Sequence, residues 1–147
     1  MAVIISEGIE SERKYPLWDR YTIGGYIYEF PAGLVEPNEE FHEGAVREMY
    51  EETGLKFTPL KVDPAFEKPY FTTVGMTDES CATVYGYAEG EISKDAQEDT
   101  EEIEVVLADR EEVKRILREE NVAIMCAYQL MHFLQDEEPF AFLKEEL

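Results

Sequence analysis

Two periods run through the hydrophobic and polar positions of this chain. Ala2 to Ile5 is an uninterrupted apolar stretch that predicts the start of a strand. Tyr21 to Phe30 is rich in Tyr and Ile and predicts a second, bent at Gly24-Gly25, a hairpin-type turn signal. Pro31-Ala32-Gly33 then breaks regular structure. From about Glu40 to Thr53 the period changes: Phe41, Ala45, Val46, Met49 and Thr53 recur at helical spacing, and Gly54 follows where a left-handed cap ends many helices. Phe57 to Phe66, Cys81 to Glu89 and Glu102 to Leu107 favour strand, with Thr72 to Ser80 as a polar loop among them. Asp109 followed by Glu112 resembles a capping box opening a helix to about Glu119, and Val122 to Leu134 supplies another helical stretch. Strands first, one helix inserted among them and helices last predict an α+β chain, a mixed β-sheet in an αβα sandwich, and not a regular parallel α/β sheet.

Length and charge narrow the functional classes. The 147 residues fit a single domain spanning 1–147, with a hydrophobic fraction of 44% that excludes general disorder. Acidic residues outnumber basic ones 34 to 13, for a net charge of -21. That field repels nucleic acid polymers, which are excluded as partners. It also opposes small phosphorylated substrates, so phosphate chemistry here requires a divalent cation where the phosphate sits. Cys81 and Cys126 lie far apart with no ligand-spaced His or Cys, which points to core residues in a reducing compartment. No apolar run approaches membrane-spanning length, so the expectation is a cytoplasmic protein that does not enter the membrane.

The chemistry concentrates on the predicted helix. At about 100° per residue, Glu48, Glu51 and Glu52 fall within an arc of roughly 100°, beside the arc of Phe41, Ala45 and Met49. Like charges at these spacings repel, and carboxylates on neighbouring turns of a rigid helix suit magnesium, which takes octahedral oxygen coordination. Arg47 reads as an internal counter-ion that fixes carboxylate rotamers together with Glu39. Gly33 lets the backbone pass close to the helix, so that a carbonyl of Pro31-Ala32-Gly33 can add a ligand. In a chain this acidic, the alternative is a solvated acidic face.

Gly33, Glu39, Arg47-Glu48-Met49 and Glu51-Glu52-Thr53-Gly54-Leu55 stand at the spacing G-x5-E-x7-R-E-U-x-E-E-x-G-U, U being a bulky aliphatic residue. This is the signature of the Nudix hydrolases, and the chain resembles that family. The resemblance implies a Nudix fold and metal-assisted attack of water on a diphosphate linked to another moiety. It makes Glu48 and Glu52 principal Mg2+ ligands (Mn2+ substituting), Glu51 a further ligand, and Ala32 a carbonyl ligand. Glu29-Phe30-Pro31-Ala32-Gly33 is similar to a segment of ADP-ribose and nucleoside-diphosphate-sugar pyrophosphatases. That narrower likeness places Arg20, Glu29 and Gly33 on the substrate side and makes Glu79, in Gly75-Met76-Thr77-Asp78-Glu79, the general base. The subgroup often has Ser-Pro-Gly before that loop; this chain has Thr73-Val74-Gly75. The implied partner is a small nucleotide, ADP-ribose or an ADP-sugar first, and a homodimer is a further implication. Hydrolysis of a nucleoside triphosphate or dinucleotide, and a non-catalytic nucleotide-sensing module, remain the alternatives.

The remaining candidates have plainer readings. Tyr15, Trp18, Tyr21, Tyr26 and Tyr28 could stack on a base, but alternating aromatics in strands usually pack core and sheet faces. His42 and His132 sit on predicted helices with no partner at ligand spacing and read as non-catalytic. Glu98 to Glu104 reads as a solvated acidic loop, and Gly44 as a point of close packing between helix and sheet.

Overall fold

The computed structural model describes residues 1–8, 26–97, 103–135 and 137–144. At its centre is β1 (Ala2–Gly8), paired antiparallel with β2 (Tyr26–Glu29) on one side and with β7 (Ile103–Ala108) on the other. The registers place Ile5 opposite Glu29 and Ile4 opposite Val106. Two smaller antiparallel ladders join β3 (Lys56–Pro59) to β6 (Gly86–Glu89), and β4 (Tyr70–Phe71) to β5 (Ser80–Cys81). Parallel pairing among the described residues is confined to a bridge between Tyr28 and Val122. There the Tyr28 N–H donates to the Asn121 carbonyl at 2.8 Å, and the Ala123 N–H donates to the Tyr28 carbonyl at 3.0 Å. The predicted α+β class is the observed one.

Four helices complete the described fold: α1 (Phe41–Thr53), the single turn α2 (Pro64–Glu67), α3 (Arg110–Glu119) and α4 (Ile124–Gln135); a 3-10 turn spans Ala141–Lys144. The main core lies where α3 and α4 cover the three-stranded sheet. Ile4, Ala108, Val113, Ile116, Cys126 and Leu130 are buried there, with Tyr28, Phe30, Val106 and Phe133 packed around them. Val113 and Ile116 lie three apart, and Cys126 and Leu130 four apart, the spacings that put side chains on one helical face. Burying a Leu or Ile contributes about 1.5–3 kcal/mol, so this layer carries much of the fold's stability.

Each end of α1 is fixed locally. The Glu43 carboxylate reaches back to the Glu40 N–H at 3.2 Å. At the other end Gly54 adopts the expected left-handed conformation, φ 76°, and its N–H donates to the Tyr50 carbonyl at 2.8 Å. Thr53, wholly buried, donates its hydroxyl to the Met49 carbonyl and accepts from the Leu55 N–H at 3.1 Å, linking helix to strand. α1 packs against β3, where Leu55 and Phe57 are buried.

Several boundaries differ from the sequence expectation. The strand predicted over Phe57 to Phe66 ends at Pro59, because Asp63 caps the Ala65 N–H at 2.8 Å and Pro64 opens α2. The strand predicted over Cys81 to Glu89 divides into β5 and β6. Gly44 has Glu39 as its nearest neighbour: a Cβ there would lie 3.1 Å from Glu39 Oε2, so its smallness accommodates the incoming loop and not the sheet. The Gly24-Gly25 turn lies outside the described residues.

Candidate active site

Chain entry into α1 builds the site. After β2, Pro31-Ala32-Gly33 runs irregularly to a turn in which the Glu39 N–H donates to the Glu36 carbonyl at 3.0 Å. Asn38 takes a positive φ of 72°, which Asn tolerates better than most side chains. The Glu36 N–H in turn donates to Glu39 Oε2 at 2.9 Å, aiming that carboxylate back along the helix.

Arg47 is the hub. Its Nε donates to Glu39 Oε1 at 2.9 Å and its Nη2 to Glu39 Oε2 at 3.1 Å, a two-pronged contact of the kind that fixes a guanidinium in orientation. Nη2 also donates to the Leu34 carbonyl at 3.0 Å, tying the incoming loop to the helix. Nη1 is thereby left pointing at Glu48 Oε1, 2.7 Å away, and Glu51 Oε2, 2.9 Å away. Hydrogen bonds from Arg47 and then from the Glu36 N–H hold the Glu39 carboxyl below the ordinary carboxylate range. Bonding to Glu39, Glu48 and Glu51 raises Arg47 above its ordinary value, so it remains a cation throughout.

Gly33 meets this cluster directly. A Cβ at that position would lie 1.9 Å from Glu48 Oε1, so the backbone passes against the Glu48 carboxylate as only glycine permits. Glu52, one turn on, is buried, 7% exposed, and its carbonyl accepts from Gln97 Nε2 at 2.6 Å. Glu48, Glu51 and Glu52 therefore occupy one end of α1 in three settings: against Gly33, at the surface, and inside.

The donor set fits a hard divalent ion. It offers carboxylate oxygens at i, i+3 and i+4, with the Gly33 backbone passing against one of them. Among the described residues no group of three or more His, Cys, Asp or Glu side chains is gathered into a ready cage. One guanidinium nitrogen of Arg47 lies between Glu48 Oε1 and Glu51 Oε2.

The other predicted residues fall elsewhere. Glu79 immediately precedes β5; its Oε2 accepts from the Thr72 hydroxyl at 2.7 Å, and its N–H donates to Thr77 Oγ1 at 3.2 Å. Among the described residues no hydrogen bond or ion pair joins Glu79 to Glu48, Glu51 or Glu52. Glu29 closes β2 near Cys126, whose thiol is pushed up to about 12, by burial first and by the Glu29 charge second. Ala32 is exposed beside Gly33. Arg20, with Tyr15, Trp18 and Tyr21, lies outside the described residues. Of the acidic run, Glu104 pairs with Lys94 at 3.3 Å.

Two contacts have no sequence signal. His42, read as lacking a partner at ligand spacing, lies with its Nε2 3.0 Å from the buried Glu67, 25 positions away, and Gln97 reaches the Glu52 carbonyl across 45. No spacing rule links positions so far apart.

A profile of the NUDIX domain matches residues 10–128, four fifths of the chain and the whole of this site. The chain belongs to the Nudix family. Among curated proteins, this Nudix chain is 30% identical over 96 residues to the protein named putative nudix hydrolase 2 of Caenorhabditis elegans, covering 62% of the chain and 42% of that protein. It is 44% identical over 46 residues to the ADP-sugar pyrophosphatase of Mus musculus, covering 31% of the chain and 21% of that protein. The matched stretches span less than half the length of either relative. Nudix enzymes act in general on small nucleotide substrates with divalent metal ions, and the oxygen-only donor set on α1 suits such chemistry. No helix among the described residues is long and apolar enough to cross a membrane.

Proposed function

We propose that this Nudix chain is a Mg2+-dependent pyrophosphohydrolase that cleaves the diphosphate of a nucleoside diphosphate linked to a sugar, ADP-ribose foremost, giving AMP and ribose 5-phosphate. The observation that carries the reading is the complete signature from Gly33 to Leu55, folded so that the Gly33 backbone abuts Glu48 and Arg47 bonds both Glu48 and Glu51. The similarity to a protein named ADP-sugar pyrophosphatase supports the substrate class.

In this reading Glu48 and Glu52 hold the magnesium, with Glu51 and the Ala32 carbonyl as further ligands. When bound, the ion neutralises phosphoryl oxygens and acidifies water. Glu79 takes the proton as water oxygen bonds to phosphorus and the bridging phosphorus–oxygen bond breaks; the departing phosphomonoester leaves as the second product. Arg47 holds its carboxylates in place, and Arg20, Glu29 and Gly33 face the substrate.

Purified protein with Mg2+ or Mn2+, assayed against ADP-ribose, ADP-glucose, NADH and diadenosine polyphosphates, should release AMP fastest from ADP-ribose. Inactivity on the whole panel would remove the proposal. Glu52→Gln keeps shape and removes charge, so kcat should fall by roughly 10²-fold or more while the circular dichroism spectrum stays native.

A further inference from the structure

We propose that His42 and Glu67 are a positioning pair that sets the β4–β5 hairpin, and Glu79 upon it, in register with the carboxylates of α1. The inference rests on the reading of Glu79 as general base and extends it to two residues outside the Nudix signature.

The hairpin needs an anchor. Its ladder has two pairs, Tyr70 with Cys81 and Phe71 with Ser80, and a two-stranded unit of that size is not stable alone. Burial contributes little: Tyr70, Phe71, Val74 and Met76 are all exposed. Within the hairpin, Thr72 directs the catalytic candidate from both sides of the peptide, its N–H donating to the Glu79 carbonyl at 3.1 Å and its hydroxyl to Glu79 Oε2 at 2.7 Å. Glu79 is thus placed relative to the hairpin, but the hairpin must still be placed relative to α1.

Glu67 does this from the hairpin's base. Two residues, Lys68 and Pro69, separate it from β4, and its carbonyl accepts from the Thr83 N–H at 3.3 Å beyond β5, so both legs converge on it. Its side chain is buried, and a carboxyl group removed from water requires a hydrogen-bonding partner. That partner is His42, whose ring nitrogen Nε2 lies 3.0 Å from Glu67 Oε1. His42 lies in the first turn of the same rigid helix that presents Glu48, Glu51 and Glu52. One route from the carboxylates to Glu79 therefore runs through α1, His42, Glu67, β4 and Thr72.

The test compares His42→Ala, His42→Gln, Glu79→Gln and the double variant His42→Ala/Glu79→Gln. His42→Ala should lower kcat roughly 10- to 100-fold, the range seen for outer residues that orient a site, while KM and the affinity for Mn2+ measured by electron paramagnetic resonance stay within about 3-fold. His42→Gln retains a donor near the Nε2 position and should recover most of that loss. In the Glu79→Gln background, His42→Ala should cost less than about 3-fold more, the non-additivity of residues acting through one group. Hydrogen exchange supplies a readout independent of turnover: the Thr72 and Thr83 amides should exchange at least about 10-fold faster in His42→Ala, with those of β1 and β7 unchanged. Additive losses in the double variant, or unaltered exchange at Thr72 and Thr83, overturn the positioning role alone. Normal turnover by Glu79→Gln overturns it together with the assignment of the base.

Discussion

At the scale of single residues, the least forgiving point is Gly33. A methyl group there would lie 1.9 Å from Glu48 Oε1, and since the clash is with the mobile end of a side chain, the fold can yield while the carboxylate cannot keep its place. Gly33→Ala should therefore leave the melting temperature near the wild-type value but weaken Mn2+ binding roughly 10- to 100-fold, as measured by calorimetric titration. Loss of the fold instead would show that Gly33 serves the chain path and not the site. The sequence alone made legible the contacts of Arg47 with Glu39 and with the acidic helix, and the close pass of Gly33, because a helix converts spacing into direction and glycine marks a close approach. It left unread what depends on contact across the fold. His42 had no partner at ligand spacing, and nothing near Glu67 in sequence marks it as a burial site.

Elements were legible where their ends announce themselves. α1 begins and stops within a residue of its expected limits because Gly54 has the one conformation that a Cβ penalises. Gly54→Ala adds that strain, about 1–2 kcal/mol, to a contact in which its Cβ would meet the Ser93 backbone nitrogen at 2.7 Å. Urea denaturation should show a loss of at least about 2 kcal/mol, with the last turn, bearing Glu51 and Glu52, the first to fray. α3 was equally plain: Asp109 accepts from the Glu112 N–H at 2.9 Å, although the Glu112 carboxylate turns to Arg115 instead of closing the box. The strand reading of Phe57 to Phe66 failed on hydrophobicity alone. The Asp63-Pro64 pair held the correcting signal, a capping side chain before a residue that opens helices.

For the whole molecule, charge is the dominant fact. At -21 the folded chain repels itself, and screening should stabilise it: the melting temperature should rise from low salt to about 0.1 M NaCl, where the Debye length falls to about 10 Å. Acid acts more selectively. The Glu39 carboxyl is held below its ordinary value, so the stability it contributes is complete above the unfolded value, about 4.3, and disappears as pH falls through the folded one. The melting-temperature gap between wild type and Glu39→Gln should stay constant above about pH 5.5 and close below about pH 4. A gap insensitive to acid would mean that the Arg47 contact does not hold Glu39 in solution.

The bridge at Tyr28 has one more consequence. Residues 121–123 are tied to β2 through both the N–H and the carbonyl of Tyr28, so the link between α3 and α4 is sheet as much as connection. In linker scanning, a short Gly-Ser insertion there should dislocate β2 from its neighbour and yield insoluble protein. The same insertion beside Gly75, where a Cβ would meet nothing within 4 Å, should be accommodated as surface slack.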